Sequence, residues 1–139
     1  MRQVLETFSF RTRGPGFTDI TPELARFVAA SGIGRGLLTL FVRHTSASLL
    51  VQENADPKVL DDLQGFFTRL APEGDPRYTH VEEGPDDMPS HIRAALTQTQ
   101  LGIPVDAGRL PLGTWQAIYL FEHRTGGRHR EIVAHLIGE

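Results

Sequence analysis

The sequence predicts an α+β protein, a largely antiparallel two-layer β-sandwich with two or three helices. Three observations lead there. Apolar residues alternate at the strand period in several short segments, two proline-led stretches carry the helical period, and turn residues divide the segments from one another. A chain of 139 residues with 40% hydrophobic content suits a single domain spanning residues 1–139, able to bury roughly two-thirds of its unfolded surface.

Val4 to Phe10 alternates loosely, which predicts a half-buried strand. Thr21-Pro22 supplies an N-cap and a first-turn proline, and Leu24, Phe27, Val28 and Ser31 then recur at helical spacing until Gly32. Leu37 to Val42 is a short apolar run that predicts a buried strand, and Ser48 to Gln52 predicts another. Asp56-Pro57 repeats the cap-plus-proline signal, so Val59, Leu60, Leu63, Phe67 and Leu70 form one face of a second helix ending before Pro72. From Ala71 to Pro89 prolines and glycines predict a loop, and a loop of that length in a compact domain points to function. Pro89 opens a short helix with Ile92, Ala95, Leu96 and Thr99 as its apolar face. Leu101, Ile103 and Val105 alternate, Trp115 to Phe121 predicts a strongly apolar strand, and Gly126-Gly127 predicts a hairpin turn into Ile132 to Ile137.

Composition removes several functions. With no cysteine there are no disulfides, thiolate nucleophiles or cysteine-ligated metals, so imidazole, carboxylate and hydroxyl groups must carry the chemistry. The net charge of -3, with no basic arm, argues against nucleic acid as a partner. MRQVLETFSF does not read as a signal peptide, and no apolar run approaches the roughly 20 residues that span a bilayer, so no membrane association and a cytoplasmic location are expected. Charge is unevenly placed: residues 53–87 hold ten carboxylates against Lys58, Arg69 and Arg77, whereas residues 109–130 hold four arginines against Glu122. Two faces that offset each other would explain this, as would a cation site beside an anion site.

Four polar clusters stand out, at 44–48, 53–57, 78–91 and 122–124. His44 follows one strand and His123 ends another, so both rings would sit at the rim of a rigid sheet. With His91 they form the expected ligand trio for a divalent metal, zinc or magnesium, with His80 or Asp87 as a further partner. The competing reading is a set of hydrogen-bonded structural histidines. Asp56 is explained as a helix cap, but Glu53 and Asn54 are not, and the Asp86-Asp87 pair exceeds what one helix N-terminus needs. Arg109, Thr114, Arg124 and Arg128 suit a phosphate or, equally, surface ion pairs. Ser46 and Ser48 lack the G-x-S-x-G elbow of a nucleophilic serine, and GIGRG at 32–36 lacks the strand and spacing of a dinucleotide site.

HTSASLLVQENADPKVLDDL, EGPDDMPSHIRAAL and IPVDAGRLPLGTWQAIYLFEHR, with Gly138 near the end, resemble the YjbQ family of secondary thiamine-phosphate synthase enzymes. The resemblance runs from His44 to Gly138 and more loosely from Gln3 to Val42; Gln52, where asparagine is commoner, is a mild departure. It implies a homotrimer, which would also cover exposed strand edges. It further implies a transferase that joins hydroxymethylpyrimidine diphosphate to thiazole phosphate and releases pyrophosphate. The expected catalytic residues are Glu53, Asn54, Asp87 and His91, and the expected substrate-binding residues are Ser46, Arg109, Thr114 and Arg124. A small phosphorylated metabolite is the expected partner. The same residues would also serve a metal-dependent phosphate-ester hydrolase or a non-catalytic metal or phosphometabolite binder.

Overall fold

The structure is a computed structural model describing residues 1–139. In chain order it contains β1 (Arg2–Arg11), β2 (Gly16–Asp19), α1 (Thr21–Ser31), β3 (Arg35–Val42), β4 (Ala47–Glu53), α2 (Pro57–Leu70), α3 (Asp87–Leu96), β5 (Gln100–Asp106), β6 (Gln116–Glu122) and β7 (His129–Gly138). Every strand pair is antiparallel. One sheet has the order β1-β7-β3-β5 and the other β2-β6-β4.

The strand alternation explains the sandwich. Leu38, Leu40 and Val42, Leu101, Ile103 and Val105, and Ile132, Ala134 and Leu136 face inward from the larger sheet, toward Ala47, Leu49, Ile118 and Leu120 of the smaller one. Leu24, Phe27 and Val28 of α1 join the same 18-residue core. Each fully buried leucine or isoleucine there contributes about 1.5–3 kcal/mol. The outer face of the smaller sheet is covered, with Phe67 of α2 meeting Phe121 edge-on at 5.5 Å. The outer face of the larger sheet leaves Leu5, Leu37 and Phe41 between 44% and 65% exposed. No helix is long and apolar enough to cross a membrane.

Gly126-Gly127 does not turn a hairpin. β6 and β7 lie in different sheets, so residues 123–128 carry the chain from one layer to the other, as residues 12–15 and 43–46 also do. Glycine is required at 127 because a Cβ there would lie 2.7 Å from the Thr12 carbonyl oxygen of the neighbouring crossing. All three crossings gather at one end of the sandwich, and their convergence builds the polar site.

Two helix starts also differ from expectation. Asp56 caps α2 as expected, its Oδ1 accepting from the Lys58 N–H at 3.0 Å. Thr21 does not cap α1: its Oγ1 accepts from Ile118 N–H of β6 at 2.8 Å, and Asp19 accepts from the Thr21 N–H. α3 begins at Asp87, so Pro89 falls within the first turn, where a missing N–H costs no helical bond. Its buried face is Asp87, Pro89, Ser90, Arg93 and Ala94, whereas Leu96 is exposed. A buried polar helix face gives no apolar periodicity, which is why the expected face was wrong.

Candidate functional site

The floor of the site is a buried ion pair. Arg130 Nε donates to Glu122 Oε1 at 2.8 Å, its Nη2 donates to Glu122 Oε2, and the two residues are 4% and 1% exposed. Thr12 Oγ1 donates to Oε1 at 2.6 Å, while the N–H groups of His123 and Arg124 donate to Oε2 at 3.1 and 3.2 Å. Burial opposes ionisation of Glu122, but the Arg130 and Thr12 hydrogen bonds hold its carboxyl below the ordinary value. Glu122 thereby ties the crossing at 12–15 to the one at 123–128. Ser46 accepts from Arg130 through its Oγ at 2.9 Å and its carbonyl at 3.1 Å, which brings in the third crossing.

On this floor, Arg124 reaches the start of α3. Its Nε donates to Asp86 Oδ2 at 2.8 Å, its Nη1 to Asp87 Oδ1 at 2.7 Å and its Nη2 to the Glu83 carbonyl at 3.2 Å. Asp86 Oδ2 also accepts from the N–H and hydroxyl of Thr125. The Arg124 guanidinium holds the Asp86 carboxyl well below the usual carboxylate range, and Asp86 in turn raises Arg124.

The other oxygen of Asp87 faces two imidazoles. Its Oδ2 lies 2.7 Å from His80 Nε2 and 2.9 Å from His91 Nε2. His91 Nδ1 is 2.9 Å from the Thr45 carbonyl, which only accepts, so that nitrogen carries the proton. The Nε2 lone pair of a neutral His91 then points at a carboxylate oxygen, an arrangement that requires a proton or a metal ion between the two acceptors. Burial would raise the Asp87 carboxyl, which is only 2% exposed, but hydrogen bonding with His80 and His91 and the charge of Arg124 carry it below its ordinary value. One ligand atom from each of His80, Asp87 and His91 falls within 4.8 Å of the others. Beside them, Pro76, Tyr78, His80, Val81, Pro85 and Met88 help to line a hollow of about 450 Å³.

A family model described as UPF0047 protein YjbQ-like matches residues 6–139. The chain belongs to this family. It is 51% identical to UPF0047 protein sll1880 of Synechocystis sp. over 99% of this chain and 94% of that one. It is 44% identical to UPF0047 protein YjbQ of Escherichia coli O157:H7, over 96% and 97% of the two chains. Among solved structures, an uncharacterised conserved protein of the YjbQ/UPF0047 family from Clostridium acetobutylicum superposes with a TM-score of 0.86 at 35% identity, covering 95% of this chain and 99% of that one. The conserved hypothetical protein TT1486 from Thermus thermophilus gives 0.78 at 40% identity, covering 92% and 97%.

Within this YjbQ-like chain the expected metal trio does not assemble. His44 Nε2 accepts from the Glu131 N–H at 2.8 Å, so its lone pair is occupied, and burial followed by the Arg130 charge lowers its pKa. His123 is 1% exposed, with Nε2 2.9 Å from Ser48 Oγ and Nδ1 without a partner. Burial, then the nearby Arg93 and Arg130 charges, lowers His123 to about 3, so it is a neutral core ring against Phe121. The structure instead gathers His80 and Asp87 around His91.

The expected substrate residues divide between the two ends of the sandwich. Ser46 is buried under Arg130, and Arg124 is committed to Asp86 and Asp87, which makes it a positioning group rather than a free phosphate ligand. Glu53 pairs with Gln116 at the far end of β4 and β6, where the Asn54 N–H donates to the Trp115 carbonyl, and Thr114 is exposed nearby. Arg109 closes the turn after β5 beside Asp106, opposite Arg35. Six strand steps place this far end about 20 Å from the histidine cluster, so one chain does not bring Glu53, Asn54, Arg109 and Thr114 to Asp87 and His91. The sequence marks Thr45 only as part of the 44–48 polar cluster and Arg130 only among the arginines of 109–130; the role of the Thr45 carbonyl in setting the His91 tautomer carries no sequence signal, whereas Arg130 is the one basic residue on the otherwise apolar inward register of β7.

Proposed function

We propose that the protein is a metal-assisted transferase acting on phosphorylated metabolites, joining hydroxymethylpyrimidine diphosphate to thiazole phosphate with release of pyrophosphate. The observation that carries this reading is the donor set around Asp87, with two imidazole nitrogens on one carboxylate oxygen and a guanidinium on the other. Two imidazoles and one carboxylate suit zinc or a similar first-row ion better than magnesium, which prefers oxygen ligands. Bound by His80, Asp87 and His91, such an ion would stabilise charge on phosphoryl oxygens as a Lewis acid.

The chain's own contributions follow from the geometry. Thr45 fixes the His91 ring so that Nε2 faces the cluster, and Arg124 fixes the Asp87 carboxylate. The hollow lined by Tyr78, Pro85 and Met88 is partly apolar and suits a flat heterocycle next to His80. The thiazole nitrogen is already a neutral nucleophile, so this transfer requires no serine and no strong general base. Self-association belongs to the same reading: the uncovered sheet face bearing Leu5, Leu37 and Phe41 supports assembly, and a trimer is the form the family resemblance implies.

The test is a product assay with both substrates, zinc and untagged protein. The transferase reading expects thiamine phosphate and pyrophosphate in equal amounts, only when both substrates are present, and loss of both products in Asp87→Asn. Phosphate or pyrophosphate release without the thiazole substrate would make the protein a hydrolase, and tight binding without turnover would make it a binder.

A further inference from the structure

We propose that the crossing loops carry a separate anion site, a pocket for compact phosphate groups built by Arg11 and Arg13 with Arg128 at its rim. Thr12 is buried, its N–H donating to the Arg128 carbonyl at 2.7 Å and its Oγ1 accepting from the Arg128 N–H at 3.1 Å. With Thr12 drawn inward, Arg11 and Arg13 on either side of it both stand at the surface. They line a hollow of about 480 Å³ whose other walls are Thr12 and Gly127. An adjoining hollow of about 440 Å³ shares both arginines and continues along residues 14–18. The Arg128 guanidinium lies over Gly126, next to the floor at Gly127, where a side chain would collide with the Thr12 carbonyl.

The charge balance points to an anion. Arg11, Arg13 and Arg128 form no ion pair, although the neighbouring Arg124 and Arg130 do. Of the carboxylates around these loops, Glu122 and Asp86 are taken by Arg130 and Arg124, and Glu131, diagonal to Arg11 across the β1-β7 register, is taken by Arg43. His129 sits opposite Arg11 in the β1-β7 register, so it adds no counter-charge. Guanidinium groups gathered without a carboxylate repel one another, and an anion presenting several oxygens relieves this through forked contacts. No hydrophobic residue lines the hollow, and two of its four lining residues are arginines, which fits an inorganic or organic diphosphate. The site shares no residue with the His80–Asp87–His91 cluster and stands whether or not that cluster holds a metal.

The test is calorimetric titration of the full chain with inorganic pyrophosphate in EDTA, at about 20 mM salt so that exposed charges are weakly screened. One saturable site is expected, weakened at least about tenfold in R11Q/R13Q and less in Arg13→Lys, which keeps the charge but loses the fork. Arg69→Gln, on the exposed side of α2, should bind as the wild type does. Melting curves establish that each variant is folded, and Arg13→Lys provides a second arm if the double variant is not. No saturable binding by the wild type, or unchanged binding in both Arg13 variants, would overturn the proposal. So would tighter, Arg13-dependent binding of a single-stranded oligonucleotide, which would assign the surface to a nucleic-acid backbone.

Discussion

Arg124 and Asp87 meet through a 2.7 Å bond from Nη1 to Oδ1, joining the crossing between the two sheets to the first residue of α3. The other oxygen of Asp87 is thereby turned toward His80 and His91. Arg124 acts on the chemistry through Asp87.

That role separates two effects of Arg124→Ala. Removing the guanidinium leaves Asp86 and Asp87, both buried, without their counter-charge, which should cost about 3 kcal/mol of stability. Synthetic activity should fall about 10²–10³-fold in the folded variant, the usual loss for one electrostatic group. Arg124→Lys should recover part of the stability and little of the activity, because an ammonium does not span Asp86 and Asp87 with parallel bonds. Urea unfolding and the product assay together read both effects.

Glu122→Gln should be among the most damaging single changes in the chain. It leaves Arg130 buried without a carboxylate, at a cost of about 3–5 kcal/mol. Replacing both residues by apolar ones should not restore wild-type stability, because the His123 and Arg124 N–H groups would still lack an acceptor. Denaturant midpoints of the single and double variants give the answer, and a loss below about 1 kcal/mol in Glu122→Gln would mean that the Glu122–Arg130 pair does not hold the crossings together.

The pH dependence of stability should carry the mark of His123. Its folded pKa is lowered to about 3 from an unfolded value of 6.5. Above pH 6.5 the ring is neutral in both states and contributes no slope. Below it the unfolded chain takes up a proton that the folded chain refuses, so stability falls as pH drops toward 3, by about 1.4 kcal/mol per unit for this one group. His44, lowered by burial and by Arg130, adds in the same direction. Unfolding free energies between about pH 7 and 5 should show this slope in the wild type and a flatter one in His123→Gln.

Most of the fold was legible because its signals are local. The alternation of Leu101, Ile103 and Val105 defines β5, and Asp56 before Pro57 defines the start of α2. Gly126-Gly127 reads as a hairpin and is a crossing instead, because glycines report a reversal of direction and not the sheet to which the chain returns. The same limit applies to the site. His80, Asp87 and His91 lie within 12 residues of one another, and a loop leading into a helix suffices to gather them. His44, His123, Glu53 and Arg109 are placed by strand register, which decides the end of the sandwich and the partner of each ring nitrogen. Register depends on pairings across the whole chain, so these positions were not readable from spacing.

The uncovered face of the larger sheet should mediate self-association. Leu37 and Phe41 lie on the same outward side of β3, pointing away from the core. Phe41→Glu with Leu37→Lys should convert a trimer to monomer in light scattering at micromolar concentration while leaving the core strands intact. A monomeric wild type would contradict the assembly.

The most direct measurement is anomalous diffraction at the zinc edge from crystals of untagged protein grown with zinc. One strong peak is expected within bonding distance, about 2.0–2.2 Å, of His80 Nε2, His91 Nε2 and an Asp87 carboxylate oxygen, absent from Asp87→Asn. A peak held instead by His44 or His123, or no ordered peak at this cluster, would contradict this placement.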